Sequence, residues 1–404
     1  MSTMNIPRKL ACTALVAIVT LGVAGTASAG NREQAKRIHD RLVGTPPSAA
    51  CLDQLEAEMA TSANAAALDA ITDDGASDAC IGQEFYRVTL KNFVTPWTNE
   101  EQTVFAPLND YTATVIGFVR DDRDFRGILS SDILYTGPSP SNLTTSNAHY
   151  ENLENSGADL QAVLTQTTQT AAFGLPTGAA AGVMTTRAAA KAFFVDGTNR
   201  AMFRFTLLNH LCSDLEQIKD TSVTPDRIRQ DVSRSPGGDS RIFMNACVGC
   251  HSGMDPMAQA FAHYDYTYPL DGNGDPDYDA GQMVYTPGTV QAKYLQNSNN
   301  FEYGYVTPDD HWDNYWRTGQ NSALGWDSGL SGSGTGASTM GEELAHSEAF
   351  ARCQVEKVFK AVCLRAPVDA TDRTQVDNMI ASFKASGYHL KEVFAESAVF
   401  CMGD

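Results

Sequence analysis

Two cysteines and a histidine stand close together in the stretch NACVGCHSGMDP, which runs from Asn245 to Pro256. The spacing Cys247-x-x-Cys250-His251 is the sequence form of a covalently attached c-type haem. Two intervening residues set the thiols at the separation of the porphyrin vinyl groups, and the next residue carries an imidazole that can reach iron. Such a motif requires a fold that presents all three side chains to one porphyrin. We therefore predict that Cys247 and Cys250 anchor one haem c and that His251 is the proximal iron ligand.

Other uses of paired cysteines fit this chain less well. A thioredoxin-like dithiol belongs at a strand-to-helix turn of a βαβ unit, whereas the sequence around this pair has helical periodicity. Structural zinc needs a second pair of close ligands, and the other late cysteines are scattered. A simple disulfide or a chance match is the plain alternative.

The N-terminal segment has the pattern of a secretory signal peptide. Arg8 and Lys9 precede an apolar run that extends to about Ala24, and a small-x-small cleavage site ends at Ala29. The run is too short for a membrane span, and no later stretch approaches the roughly 18 apolar residues that a spanning helix needs. We expect an exported protein with no membrane span, periplasmic, secreted or at the cell surface, that begins at Gly30.

The negative charge of the chain argues against nucleic acid and anionic lipid as partners. The formal net charge is −19, and the predicted signal peptide removes basic residues only. Such a surface repels nucleic acid and anionic lipid. It suits a basic partner protein, or it serves solubility alone.

Six cysteines remain in the exported chain beside the haem pair, an even number that three disulfides would require. They are Cys51, Cys80, Cys212, Cys353, Cys363 and Cys401. We pair the first two, because both lie in the N-terminal segment. Free buried thiols are the alternative for some of the six.

Helix geometry limits the other four cysteines. The sequence ELAHSEAFARCQVEKVFKAVCLRAP predicts one helix that ends near Pro367. Ten residues of helix separate Cys353 from Cys363 by roughly 15 Å, whereas a disulfide needs Cα atoms about 5–6 Å apart. These two cannot bond to each other. One of them should reach Cys401 and the other Cys212.

The fold class predicted from periodicity is mainly α. A second strong helix is predicted over GTNRAMFRFTLLNHLCSDLEQI, upstream of the haem motif. The region after the motif is aromatic, rich in Asp, Asn and Gly, and poor in periodicity, so we predict an irregular insertion there. The predicted divisions are a signal peptide (1–29), an N-terminal helical segment (30–110), a helical module ending in the haem motif (111–269), an acidic and aromatic insertion with a Gly/Ser linker (270–338) and a C-terminal helical module (339–404).

The stretch ACVGCHSGMDPMAQAFAHYDY resembles the haem segment of the planctomycete-type exported cytochromes. In that family the motif continues from C-x-x-C-H into x-x-M/I-D-P and closes with an aromatic-Asp pair. Met254, Asp255, Pro256, Tyr264 and Asp265 match it in order. DDRDFRGILSSDIL, GVMTT…FRFTLLNHLC and LAHSEAFARCQVEKVFKAVCLRAP resemble the flanking modules. The resemblance covers about two-thirds of the exported chain, excludes the insertion, and implies a helical cytochrome-c-like haem domain but no substrate.

The sixth iron ligand separates the functions open to such a protein. A methionine from Met184, Met283 or Met340 would complete an electron-transfer site, whereas an open position would allow a haem peroxidase or oxygenase-like activity. Met254 follows His251 too closely to reach the opposite face, so we assign it to packing and expect a turn at Asp255-Pro256. We expect one-electron transfer with a redox partner protein. A non-catalytic subunit of a cell-surface redox complex, docked through the insertion, is a further alternative.

The insertion itself contains two weaker patterns. In LDGNGDPDYDAGQ, oxygen-bearing side chains alternate as they would in a loop that wraps calcium, namely Asp271, Asn273, Asp275, Asp277 and Asp279. Pro276 and Gln282 depart from the helix-loop-helix calcium pattern, and an acidic solvated turn is the plain reading. Trp312 and Trp316, four residues apart, could form an aromatic face near the haem or could pack locally.

Overall fold

The chain folds mainly into helices, as the sequence predicts. The computed structural model describes residues 29–72, 79–80 and 82–403. It is 54% helical and 7% strand. The predicted signal peptide, up to residue 28, lies outside the described residues.

The helices of the described residues are mostly short, and only two reach sixteen residues. Three π-helical turns, Phe85–Leu90, Leu207–Leu211 and Phe243–Cys247, adjoin α4, α10 and α12 respectively. The helices are α1 (Asn31–Val43), α2 (Ala49–Met59), α3 (Ala63–Asp69), α4 (Lys91–Val94), α5 (Asp110–Arg120), α6 (Ala148–Asn155), α7 (Leu160–Val163), α8 (Gln169–Phe173), α9 (Arg187–Phe193), α10 (Arg200–Thr206), α11 (Ser240–Ile242), α12 (Val248–Ala258), α13 (Gly336–Ala345), α14 (Glu348–Cys363), α15 (Ala370–Ala385) and α16 (Leu390–Cys401).

Many of these helices begin at a side chain that accepts a hydrogen bond from the first turn, which satisfies a backbone N–H that has no partner within the helix. Ser48 begins α2 in this way and Ser347 begins α14. Leu364, in the left-handed region, ends α14. Local sequence thus sets many of the helix boundaries.

The strands form three antiparallel pairs. β1 (Leu134–Thr136) pairs with β2 (Thr165–Thr167), β3 (Tyr264–Thr267) with β4 (Gln282–Tyr285), and β5 (His311–Asp313) with β6 (Ser333–Thr335). In the second pair, Tyr264 lies opposite Tyr285. This hairpin turns the chain back directly after the haem motif.

One hydrophobic cluster contains residues from α1 at one end of the chain to α16 at the other. The N-terminal helices α1 and α3 pack against α16, and α14 packs between α15 and α16. Leu344, Phe350, Val358 and Val362, which the sequence places at core spacing, are fully buried. One hydrophobic core thus extends across the predicted domain boundaries, and the boundaries stay predictions.

Three disulfides hold this core together, and they confirm the predicted pairing. Cys51 bonds to Cys80, Cys212 to Cys353, and Cys363 to Cys401, with Cα atoms 4.6, 5.3 and 5.5 Å apart. The second bond joins α14 to the end of the π turn after α10, and the third joins α14 to α16. Disulfides of this kind fit an oxidising, exported environment. Within the described residues no helix is long and apolar enough to cross a bilayer.

Two predicted helices are interrupted, and the predictions of their length were wrong. The helix expected from Glu343 to near Pro367 breaks at His346, because Ser347 accepts a hydrogen bond from the N–H of Phe350 and starts α14 anew. The helix expected over residues 197–218 ends at Leu211. There Cys212 takes a positive φ of 52° and bonds to α14, so tertiary structure overrides the helical pattern.

The insertion is irregular, as predicted, but it is not detached from the core. Trp312 and Trp316 are 2% and 0% exposed and belong to the main hydrophobic cluster. The Trp312 indole N–H donates to Thr339 at 2.8 Å, and the Trp316 ring lies 5.9 Å from that of Phe203 on α10. The two tryptophans therefore pack, and deletion of the insertion would remove part of the core.

Candidate functional site

Cys247 and Cys250 differ from the other six cysteines of the described chain, because neither forms a disulfide. Cys247 ends the π turn, and Cys250 lies in the first turn of α12. Both side chains are half-buried. Burial raises the pKa of the Cys250 thiol. The pair therefore consists of two unpaired, half-buried thiols about one helical turn apart.

The two thiols lie against different surroundings. Cys247 packs against the small cluster formed by Ile228, Val232, Phe243 and Val248. The thiol of Cys250 lies 3.5 Å from the carbonyl oxygen of Leu215, in the loop that follows α10. In the helical segment just before Cys247, the apolar side chains of Ile242 and Met244 are 46% and 58% exposed. This end of the helix thus offers apolar surface beside the thiols.

His251 follows in the same helix with its ring held from one side. Its Nδ1 lies 3.2 Å from each carboxylate oxygen of Asp255, one turn further along α12. Because an ionised carboxylate only accepts hydrogen bonds, Nδ1 carries the proton. Nε2 makes no hydrogen bond with any described residue. The side chain is 20% exposed, so Nε2 is the nitrogen left to bind a metal.

Asp255 is a buried carboxylate with several donors around it. Its side chain is 0% exposed, and it accepts from Arg200 Nε at 2.7 Å and Nη2 at 2.9 Å. The backbone N–H of Arg229 donates to it at 3.3 Å. Burial alone would raise the pKa of Asp255, but the positive charge of Arg200 and the bond from His251 hold that pKa well below its usual range. Asp255 is therefore an anion.

Arg200 joins this carboxylate to a second one. Its Nη2 donates to both carboxylates, to Asp231 Oδ1 at 3.0 Å and to Asp255 Oδ2 at 2.9 Å, while Nη1 donates to Asp231 and Nε to Asp255. Burial lowers the pKa of Arg200, yet the two carboxylates raise it above its ordinary value. A chain of charges thus runs from His251 through Asp255 and Arg200 to Asp231.

Arg200, Asp231 and the role of Asp255 were not predicted from the sequence. The expected turn at Asp255-Pro256 was wrong, because α12 continues to Ala258 and buries both residues. One signal was present, since residues four apart on a helix face each other and His251 and Asp255 have that spacing. Nothing in the sequence pointed to the two distant residues.

The insertion positions α12 by close packing. A Cβ atom on Gly253 would lie 2.0 Å from Nε1 of Trp316 and 2.2 Å from Cε2. Only glycine allows the indole to lie this close to the helix backbone, two residues beyond His251. The aromatic insertion therefore supports the helix that carries the motif.

The methionines proposed as sixth ligands lie in different parts of the fold. Met184 and Met340 are 2% and 0% exposed within the main core, and Met283 is partly buried in β4. Met254 is buried at 4%, in agreement with its assignment to packing. The identity of the sixth ligand stays a prediction.

The acidic loop of the insertion uses several of its oxygens to hold its own backbone. Asp271 accepts from the N–H groups of Asn273 and Asp275 at 2.8 and 2.9 Å. Asp277 accepts from the N–H of Asp279, whose carboxylate pairs with Lys191. Among the residues that the structure describes, no group of three or more His, Cys, Asp or Glu side chains is arranged to hold a metal ion. Calcium at this loop stays a prediction.

The side chains of the motif suit a covalent haem. Two unpaired thiols stand one helical turn apart, an imidazole nitrogen is left for iron, and exposed apolar side chains adjoin them. No protein-family model, no curated protein and no solved structure matches this chain.

Proposed function

We propose that the protein is an exported c-type cytochrome that holds one covalent haem and passes single electrons. One observation carries the proposal. The other six cysteines of the described chain are paired in disulfides, while Cys247 and Cys250 are unpaired and stand beside a histidine whose Nε2 makes no hydrogen bond with a described residue. In a chain built to form disulfides, two adjacent thiols left unpaired are available for another covalent bond.

Haem supplies one-electron redox chemistry when it is bound. Cys247 and Cys250 would hold the haem through two thioether bonds, and adding an S–H group across a carbon–carbon double bond needs no oxidant. His251 would bind the iron through Nε2, while Asp255 holds Nδ1–H. The apolar side chains of Ile242 and Met244, exposed in the helical segment just before Cys247, would offer apolar surface to such a group.

Three further features support the proposal. The motif resembles that of the planctomycete-type exported cytochromes, the signal-peptide pattern predicts export, and the disulfides fit an oxidising compartment. The net charge of −19 favours a redox partner with a basic docking surface, which would associate quickly at low salt.

The test is expression of the full chain in a host that attaches haem to c-type cytochromes. We expect the denatured protein to keep a haem stain, and its mass to include one porphyrin. The double variant Cys247→Ser with Cys250→Ser should lose both signals. The matched control, Cys212→Ser with Cys353→Ser, removes a disulfide elsewhere and should keep them. Stain retained by the first variant, or absent from the wild type, would overturn the proposal.

A second activity would follow if none of the methionine candidates reached the iron. Met184 and Met340 are 2% and 0% exposed in the main core and Met283 is partly buried in β4, so Met184 or Met340 would bind the iron only if the haem entered that core. An open sixth position would let the iron bind a small molecule, as a peroxidase or oxygenase-like enzyme requires. The ferric protein would then be high-spin and would bind cyanide readily. A low-spin spectrum that cyanide leaves unchanged would instead support electron transfer alone.

A further inference from the structure

We propose that Asp255 is a positioning residue that lowers the reduction potential of the iron bound by His251. The inference rests on the proposed function, since it needs a haem at this motif. Its basis is the buried chain His251–Asp255–Arg200–Asp231, in which a carboxylate anion receives the Nδ1–H bond of the proximal histidine.

The negative charge of Asp255 acts on the reduction potential in one direction only. A hydrogen bond from Nδ1–H to a carboxylate moves electron density onto the imidazole and makes it a stronger ligand. A stronger, more anionic ligand stabilises ferric iron, with its extra positive charge, more than ferrous iron. In a buried site this interaction is weakly screened by solvent. The carboxylate therefore favours the oxidised protein, and its loss should raise the potential.

The contacts around Asp255 keep this carboxylate charged and in place. Arg200 holds both of its oxygens through two nitrogens, and the backbone N–H of Arg229 adds a third donor. Arg200 also donates to Asp231 and to the hydroxyl of Thr198, so its hydrogen bonds are divided between the two carboxylates and Thr198. The Arg229 guanidinium lies 3.6 Å from Asp231, so the second arginine of the cluster lies closest to the second carboxylate. The Asp255 carboxylate is the charged group in direct contact with the Nδ1 of His251.

A merely structural role makes a different prediction. The same contacts tie α10 and the Arg229–Asp231 segment to α12, so Asp255 could serve only to hold these parts together. Its removal would then reduce the free energy of unfolding without moving the potential. Measuring both quantities on each variant separates the two roles.

The test is a redox titration of the holoprotein and its variants at one pH, with thermal unfolding measured alongside. Asp255→Asn keeps the shape and removes the charge. We expect it to shift the ferric–ferrous equilibrium at least tenfold toward ferrous iron, which is about 59 mV for one electron. Asp255→Glu keeps the charge and should recover part of that shift. Asp231→Asn leaves Arg200 wholly on Asp255 and should shift the equilibrium in the same direction, by a smaller factor.

Two control variants test whether removing a nearby negative charge, or removing any buried carboxylate, is enough to change the reduction potential. Asp214 is a carboxylate close enough to Cys250 to raise its pKa, but it pairs with Arg204 and does not contact His251. Asp110 is a fully buried carboxylate that caps α9. We expect Asp214→Asn and Asp110→Asn to change the equilibrium less than threefold, even where the second lowers stability.

The possible outcomes are distinct. If Asp255→Asn holds haem, unfolds at a lower temperature and titrates like the wild type, the inference is overturned and the proposed function stands. If Asp255→Asn does not fold, Asp231→Asn decides, and an unchanged potential in that variant overturns the inference equally. If the wild type attaches no haem, the proposed function itself fails.

Discussion

Replacement of Gly253 by alanine tests whether the insertion supports α12, the helix that carries the C-x-x-C-H motif. The added Cβ would lie 2.0, 2.2 and 2.7 Å from three atoms of the Trp316 indole, a rigid ring that is completely buried. Either the ring or α12 must move by more than 1 Å to restore ordinary contact, and overpacking of this kind costs about 1–3 kcal/mol. Alanine recovers up to about 1 kcal/mol of helix propensity. Because the ring cannot bend aside, we expect an overpacking cost near the upper end of that range. The net loss in the free energy of unfolding should then be about 2 kcal/mol.

Gly249 provides the matched control on the same helix. Its added Cβ would meet Lys219 and Thr221 at 3.3 Å, so neighbours need to move only by tenths of an ångström. Gly249→Ala gains the same helix propensity, and its free energy of unfolding should stay within about 1 kcal/mol of the wild type. Urea unfolding of both variants, followed by circular dichroism and tryptophan fluorescence, measures the difference. Equal stability of Gly253→Ala and Gly249→Ala would refute the proposed packing of Trp316 on α12.

Two further predictions concern the thiols and the acid stability of the C-terminal helices. Iodoacetamide added to denatured, unreduced protein that lacks haem should modify two cysteines, Cys247 and Cys250. After haem attachment it should modify neither. Mass spectrometry locates the label, and label on Cys353 would contradict the disulfide assignment. The hydrogen bond from Arg365 lowers the pKa of Asp372 to about 2. A lowered pKa stabilises the fold above the unfolded-state value of about 4, and that contribution is lost as the pH falls from about 4 to 2. Asp372→Asn should therefore show a smaller loss of urea resistance over this interval than the wild type; equal loss would indicate that the ion pair does not form.

The grouping of the two thiols and the imidazole could be predicted from the sequence because it is local, whereas their role in holding a haem stays a proposal. Cys247, Cys250 and His251 are neighbours in the chain, and one helical turn suffices to bring them together. The absence of a Cys353–Cys363 bond could also be predicted from local sequence, because the rise per residue of a helix alone sets the distance between these two cysteines. Interruptions of regular structure were harder to predict, since a single cap such as Ser347 competes with an otherwise continuous hydrophobic pattern.

The sequence alone determined the helical class and the C-x-x-C-H spacing, and it predicted the pairing of Cys51 with Cys80 that the structure contains. Only the tertiary structure decided that Cys212 bonds to Cys353 and Cys363 to Cys401, because both choices were open to a helix considered alone. It also decided which charges surround His251. Arg200 and Asp231 are separated from Asp255 by 55 and 24 residues of chain, and no periodic pattern connects them. A buried charge is stable only where the folded chain supplies a partner of opposite charge, so these groups are found together in the folded protein.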